Sequence, residues 1–116
     1  MGITRHEPHA EILSDVVEAN GFVFTAGVVA EDASLDAKGQ TEQILQEIDR
    51  LLALCGTDKS KIVSATIWVT DIRNRDQMNE AWRAWTGNKD LPARACIEAK
   101  LADPRLLVEI AVIAAK

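Results

Sequence analysis

Apolar and polar positions alternate along DVVEANGFVFTAGVVAE, residues 15–31, and the alternation breaks at Asn20-Gly21. That dipeptide readily takes the positive φ angles of a two-residue hairpin turn, which predicts strands near 15–19 and 22–29. The period then changes. Ile44, Leu45, Ile48, Leu51, Leu52 and Cys55 recur at helical spacing between an N-cap residue, Asp36, and Gly56. They predict a helix from about Asp36 to Leu54, packed on one side. KIVSATIWVTDI, 61–72, is β-branched and reads as a third strand. Met78, Trp82 and Trp85 stand at i, i+4 and i+7 ahead of Gly87, and predict a second helix with all three in the core. ARACIEAKLA and LLVEIAVIAA, on either side of Asp103-Pro104-Arg105, read as a closing hairpin.

The order ββαβαββ is that of an α+β fold, a sheet with both helices able to cover one face. The other face then lacks a cover. The last strand is apolar on both sides, with Leu106, Val108, Ile110 and Val112 pointing one way and Leu107, Ala111 and Ile113 the other. An exposed apolar sheet face marks an interface, so a homo-oligomer is expected. Glu109 shares the second face, among largely dry neighbours, where an unpaired carboxylate is costly.

The run LPARACIEA, 91–99, offers Glu109 a partner. Pro92 stiffens its start, and alternation puts Arg94, Cys96 and Glu98 on one face. The planar fork of an arginine suits a carboxylate. Two readings stay open: a structural ion pair from Arg94 to Glu109 or Glu98, or an arginine that holds a carboxylate substrate.

Composition narrows the functions. Hydrophobic residues at 47% against 27% charged fit one folded domain spanning 1–116. The net charge of −5, with no dense Lys/Arg run, disfavours broad capture of nucleic acid. No apolar run approaches the roughly 20 residues of a membrane span. The N-terminus lacks a signal-peptide core, and Arg5-His6 follows Met-Gly where a myristoylation signal wants Ser or Thr. Cys55 and Cys96 lie far apart without CxxC spacing and read as free thiols of a cytoplasmic protein. His6 and His9 read as surface residues of a mobile N-terminal segment rather than a metal pair, so no metal is expected there.

PARACIEA and LVEIAVIA, with GQT at 39–41, NGFVFTAG at 20–27 and MNEAW at 78–82, resemble the Rid (YjgF-type) family of reactive-intermediate deaminases. SDVV at 14–17, MNEAWRAW at 78–85 and ADPRLLVEI at 102–110 are most similar to its YoaB-like branch. The resemblance covers nearly the whole chain, and the order and spacing of these motifs carry it. It implies a chorismate-mutase-like fold, a mixed sheet with two helices on one face, assembled as a homotrimer with clefts between subunits. It implies hydrolysis of enamines and imines such as 2-aminoacrylate and 2-iminopropionate to 2-oxo acids and ammonia, without a cofactor. By position, Arg94 would clamp the substrate carboxylate with help from the Ala26-Gly27 backbone. Cys96 would line the pocket, Glu109 would hold the attacking water, and Asn79 would support the cleft. Two positions depart from the family pattern: Leu13 stands where a tyrosine is common, and Ala26 where a serine is.

Other functions compete. A non-catalytic trimer that binds small carboxylates through Arg94, as a sensor or chaperone-like protein, fits the loss of the two hydroxyls. An endoribonuclease or translation inhibitor fits least, since the chain is acidic and both of its histidines are N-terminal.

Overall fold

Asn20 and Gly21 adopt φ of 52° and 77°, the paired left-handed conformation that turns a tight hairpin. They join β2 (Leu13–Ala19) to β3 (Phe22–Thr25), with Glu18 opposite Val23 and Val17 opposite Phe24. The computed structural model describes residues 2–116; Met1, half of the Met-Gly opening, lies outside the described residues.

The helices follow the apolar spacing. In α1 (Ala37–Leu54), Asp36 caps the N-terminus by accepting the Gly39 N–H at 2.8 Å. Its stripe of Ile44, Leu45, Ile48, Leu51 and Leu52 is buried. In α2 (Arg75–Thr86), Met78 and Trp82 are buried and Gly87 ends the helix at φ 61°. Trp85 lies at the rim of the core rather than inside it, and its indole N–H donates to the Asp49 carboxylate of α1 at 3.1 Å.

A single mixed sheet carries both helices on one face. Besides β2 and β3 it contains β1 (Thr4–His9), β4 (Val28–Val29), β5 (Ile62–Val69), β6 (Ala93–Glu98) and β7 (Val108–Ala115), in the order β1-β2-β3-β7-β5-β6 with β4 also on β7. Three features differ from the sequence expectation. The N-terminal segment, expected to be mobile, is β1, an edge strand antiparallel to β2. Its anchors are polar and therefore silent in an apolar pattern: His6 bonds Glu18, and Glu7 takes both terminal nitrogens of Arg50. The expected strand 22–29 is broken at Ala26-Gly27, where the Ala26 N–H turns to the Asp15 carbonyl and Thr25 Oγ1 accepts the Val112 N–H.

The third difference is topological. β6 and β7 do not form a hairpin. β6 lies parallel to β5 through the α2 crossover, and β7 takes the other edge of β5 antiparallel. A strand–helix–strand unit brings its two strands parallel, and this one separates β6 from β7 by the full width of β5.

Val16, Val23, Ala65, Ile67, Val69, Val108, Ile110 and Val112 form the sheet side of the core under the helices. The opposite face is open, with Phe22, Phe24 and Ile97 exposed at 41%, 39% and 45%. The apolar face that the last strand predicted is therefore present. Among the described residues, no helix is long and apolar enough to cross a membrane.

Candidate functional site

Arg94 lies opposite Ala65 in the β5–β6 ladder, on the helix-covered face. Its guanidinium carbon stands 5.2 Å from the Trp82 ring centroid, and Nη1 lies 3.9 Å from the Met78 sulfur. An aromatic face and a thioether hold an arginine without neutralising it. Arg94 makes no ion pair among the described residues. Glu98 is occupied elsewhere, accepting the Ile72 N–H at 2.8 Å. The structural-ion-pair reading therefore fails within the chain, for Glu98 and for Glu109 alike. Burial pulls the guanidinium below its ordinary pKa, with Arg83 and Arg75 pressing the same way; an arginine stays charged regardless.

Around Arg94 is an open hollow of about 300 Å³ lined by Asn79, Trp82, Arg83, Asn88, Leu91 and Arg94 itself. Asn79, on α2, thus reaches the same hollow as Arg94. Cys96 is two residues along β6 on the same face, half-buried against the core, with a free thiol.

Glu109 belongs to a different patch. It alternates with the buried Val108 and Ile110, so it points to the open face, opposite Trp68 of β5 and Val29 of β4. Its carboxylate makes no ion pair among the described residues, and burial raises its pKa above the ordinary carboxylate value. It rests on the backbone of Gly27: a Cβ built there would overlap Oε2 and come within 2.9 Å of Cδ. Only glycine admits this approach. Gly27 and Ala26 also line a hollow of about 240 Å³ with Leu13, Asp15 and His9.

The predicted site residues thus fall into two groups. Arg94, Cys96 and Asn79 come together; Glu109, Gly27, Ala26 and Leu13 come together. The expectation that Arg94 and Glu109 occupy adjacent strands is corrected: β5 separates them and they face opposite sides of the sheet. The two patches also carry opposite charge, Asp15 and Glu47 around the first hollow, Arg83 beside Arg94 in the second.

Sequence reasoning passed over several residues here. Met78 and Trp82 were assigned to the core, which they fill, but they are also the platform under Arg94; their i, i+4 spacing on the helix facing β6 is the signal. His9, ordered by β1, reaches the Gly27 hollow with its ring nitrogen 3.9 Å from Asp15. Gln40 is fully buried and ties the approach to β7, accepting the Leu107 N–H at 2.8 Å and donating to the Arg105 and Leu35 carbonyls at 3.2 and 3.0 Å.

Fold and site define a small α+β domain that presents an unneutralised arginine and a half-dry carboxylate on separate patches. The family described as Endoribonuclease L-PSP matches residues 4–116. A RutC family protein of Haemophilus ducreyi is 45% identical over 88% of this chain and 87% of its own. The RutC family protein YoaB of Escherichia coli is 39% identical over 88% and 89%. A YjgF-family protein of Neisseria meningitidis superimposes with a TM-score of 0.94 at 40% identity, covering 100% of this chain and 96% of that one. The chain belongs to the YjgF family, to which the names Rid and RutC also attach, as its motifs implied.

Proposed function

We propose that this protein hydrolyses reactive enamines and imines of the 2-aminoacrylate and 2-iminopropionate type to 2-oxo acids and ammonia, as a homotrimer with its sites at subunit junctions. One observation carries the reading: among the described residues neither Arg94, exposed on the face of Trp82, nor Glu109, half-buried on the open face of the sheet, has a counter-charge. A carboxylate kept unpaired at a desolvation cost, as Glu109 is, marks a group reserved for a ligand or a reaction, and an arginine laid unneutralised on an aromatic face is free to grip an anion.

The chemistry asks little beyond placement. A 2-imino acid has an electrophilic C2. Water adds to that carbon, losing a proton to a nearby base, and the carbinolamine expels its protonated nitrogen as ammonia to leave the 2-oxo acid. Arg94 grips the substrate carboxylate with two parallel hydrogen bonds. Glu109, its pKa raised by burial, takes the proton from water and returns it to nitrogen. Orientation supplies most of the remaining acceleration. Because the two residues face opposite sides of one sheet, the complete site needs Arg94 from one copy and Glu109 from the next. The apolar open face and the opposite charges of the two patches support such a head-to-tail ring.

The test is ammonia release from 2-iminopropionate generated in situ by a lyase. Wild type should exceed the uncatalysed rate, and Arg94→Ala should fall by about a hundredfold. Equal rates for wild type and buffer would end the enzyme reading. Leu13 and Ala26, which bring no hydroxyl to the Gly27 hollow, favour one second reading, a carboxylate-binding trimer without turnover. Its signature is saturable binding of a 2-oxo acid, lost in Arg94→Ala, with no ammonia formed.

A further inference from the structure

His6 and His9 leave the same strand toward different surroundings. His9 turns to Asp15, but His6 Nε2 meets Glu18 Oε2 at 2.6 Å. Cys55, the residue that ends α1, brings its sulfur to the same point, so that one ligand atom from each of His6, Glu18 and Cys55 lies within 4.8 Å of the other two. We propose that His6, Glu18 and Cys55 form a zinc site, three protein ligands with a fourth position open to water.

The donor set argues for the ion. One imidazole nitrogen, one carboxylate oxygen and one thiolate form a borderline-to-soft set that suits Zn²⁺ and not the all-oxygen preference of Mg²⁺ or Ca²⁺. Around a tetrahedral zinc such donors stand about 3.3–3.6 Å apart, between the 2.6 Å of the His6–Glu18 contact and the outer limit of the trio. Small side-chain shifts therefore seat the ion. The surroundings are built for it. The second oxygen of Glu18 is held by the Lys116 ammonium at 2.5 Å, and Lys116 is itself fixed by donating its backbone N–H to Gly21. Ligating carboxylates are oriented by such outer hydrogen bonds. Access is graded: the side chains of His6 and Glu18 keep 23% and 17% exposure, whereas Cys55 keeps only 4%. A hydrated ion meets the imidazole and carboxylate first, and the thiol closes the site from the dry side, giving up its proton to the solvent as the Zn–S bond forms.

The ligands come from β1, β2 and the end of α1. A bound ion cross-links the edge strand to the helix that covers the sheet. This role is independent of Arg94 and Glu109 and of the proposed reaction.

The experiment uses the full chain, stripped with a chelator and titrated with ZnCl₂ against a chromophoric indicator, with CoCl₂ as a spectroscopic substitute. We expect one equivalent per chain, a rise in melting temperature with free Zn²⁺, and a thiolate-to-cobalt charge-transfer band. Cys55→Ser should abolish the band. His6→Ala, at a partly exposed side chain that folding tolerates, should weaken zinc binding by more than about a hundredfold, and His9→Ala should leave it unchanged. No saturable uptake, a cobalt spectrum without the sulfur band, or equal loss in His9→Ala and His6→Ala would each overturn the site.

Discussion

Glu109 has a position that glycine makes possible and that is only half open to water. Its carboxyl lies on Gly27 where any side chain would collide with it, and burial raises its pKa above the ordinary 4.5. The sign of the resulting pH dependence follows. The folded protein keeps this proton to higher pH than the unfolded chain does, so the contribution is complete below the ordinary carboxylate value and is lost as pH rises through the raised one. Glutamine imitates the protonated form. Glu109→Gln should therefore melt above wild type at about pH 7.5, and the two should converge near about pH 4. A melting temperature below wild type at the higher pH would mean that the ionised carboxylate is favourably held. At this scale much was legible. A carboxylate inside an otherwise apolar strand and an arginine at a strand start both stand out against the alternation. The collision partner, Gly27, was not derivable from pattern, because the register that sets Val29 opposite Glu109 is decided by a broken strand far away in sequence.

The elements owe their placement to a few polar ties as well as to the apolar stripes. Gln40 is the clearest. Fully buried on α1, its side-chain amide serves the loop before β7 and the loop before α1 at once. Gln40→Leu removes these partners together and leaves three carbonyls, of Ala33, Leu35 and Arg105, and the Leu107 N–H without this mate. Each such group costs about 1–3 kcal/mol, less where water enters, so a loss of about 2–4 kcal/mol is expected. Urea denaturation should show a lower midpoint with an unchanged slope; a shift below about 0.5 kcal/mol would mean that the tie is dispensable. The helices and the Asn20-Gly21 hairpin were legible because their determinants are local: a 3.6-residue stripe, a cap, a dipeptide with positive φ. β1 was not, since His6, Glu7 and Glu18 look like ordinary surface residues until their partners are known. The pairing of β6 was misread for a related reason. Asp103-Pro104-Arg105 has the composition of a hairpin turn, but the ladder that β6 joins is set by the α2 crossover onto β5, a choice between two free strand edges that no short window contains.

For the whole molecule the consequential fact is that the two patches cannot meet within one chain. Alternation assigns faces inside a strand, but the sense of one strand relative to another depends on pairing, so the sequence left Arg94 and Glu109 as neighbours although they lie on opposite faces of the sheet. If a site is completed between copies, then two chains that are each inactive should rescue one another. In a ring of three, mixing Arg94→Ala with Glu109→Gln chains at equal ratio makes about three rings in four mixed. Every mixed ring has a single junction where an intact Arg94 from one chain meets an intact Glu109 from its neighbour. That is one junction of three, so about a quarter of the wild-type junctions are restored. Ammonia release from 2-iminopropionate should accordingly rise from near background to about a quarter of the wild-type rate after the two variants are unfolded together and refolded. Either variant refolded alone should remain near background. A site contained in one chain gives no rescue at any ratio, because each chain then carries its own defect. A dimer with two equivalent junctions gives the same ceiling of about a quarter, since half of the assemblies are mixed and each restores one junction of two. The mass of the assembly, read by light scattering on the same samples, separates those two rings, and a complete absence of rescue from correctly assembled mixtures would remove the junction from the account.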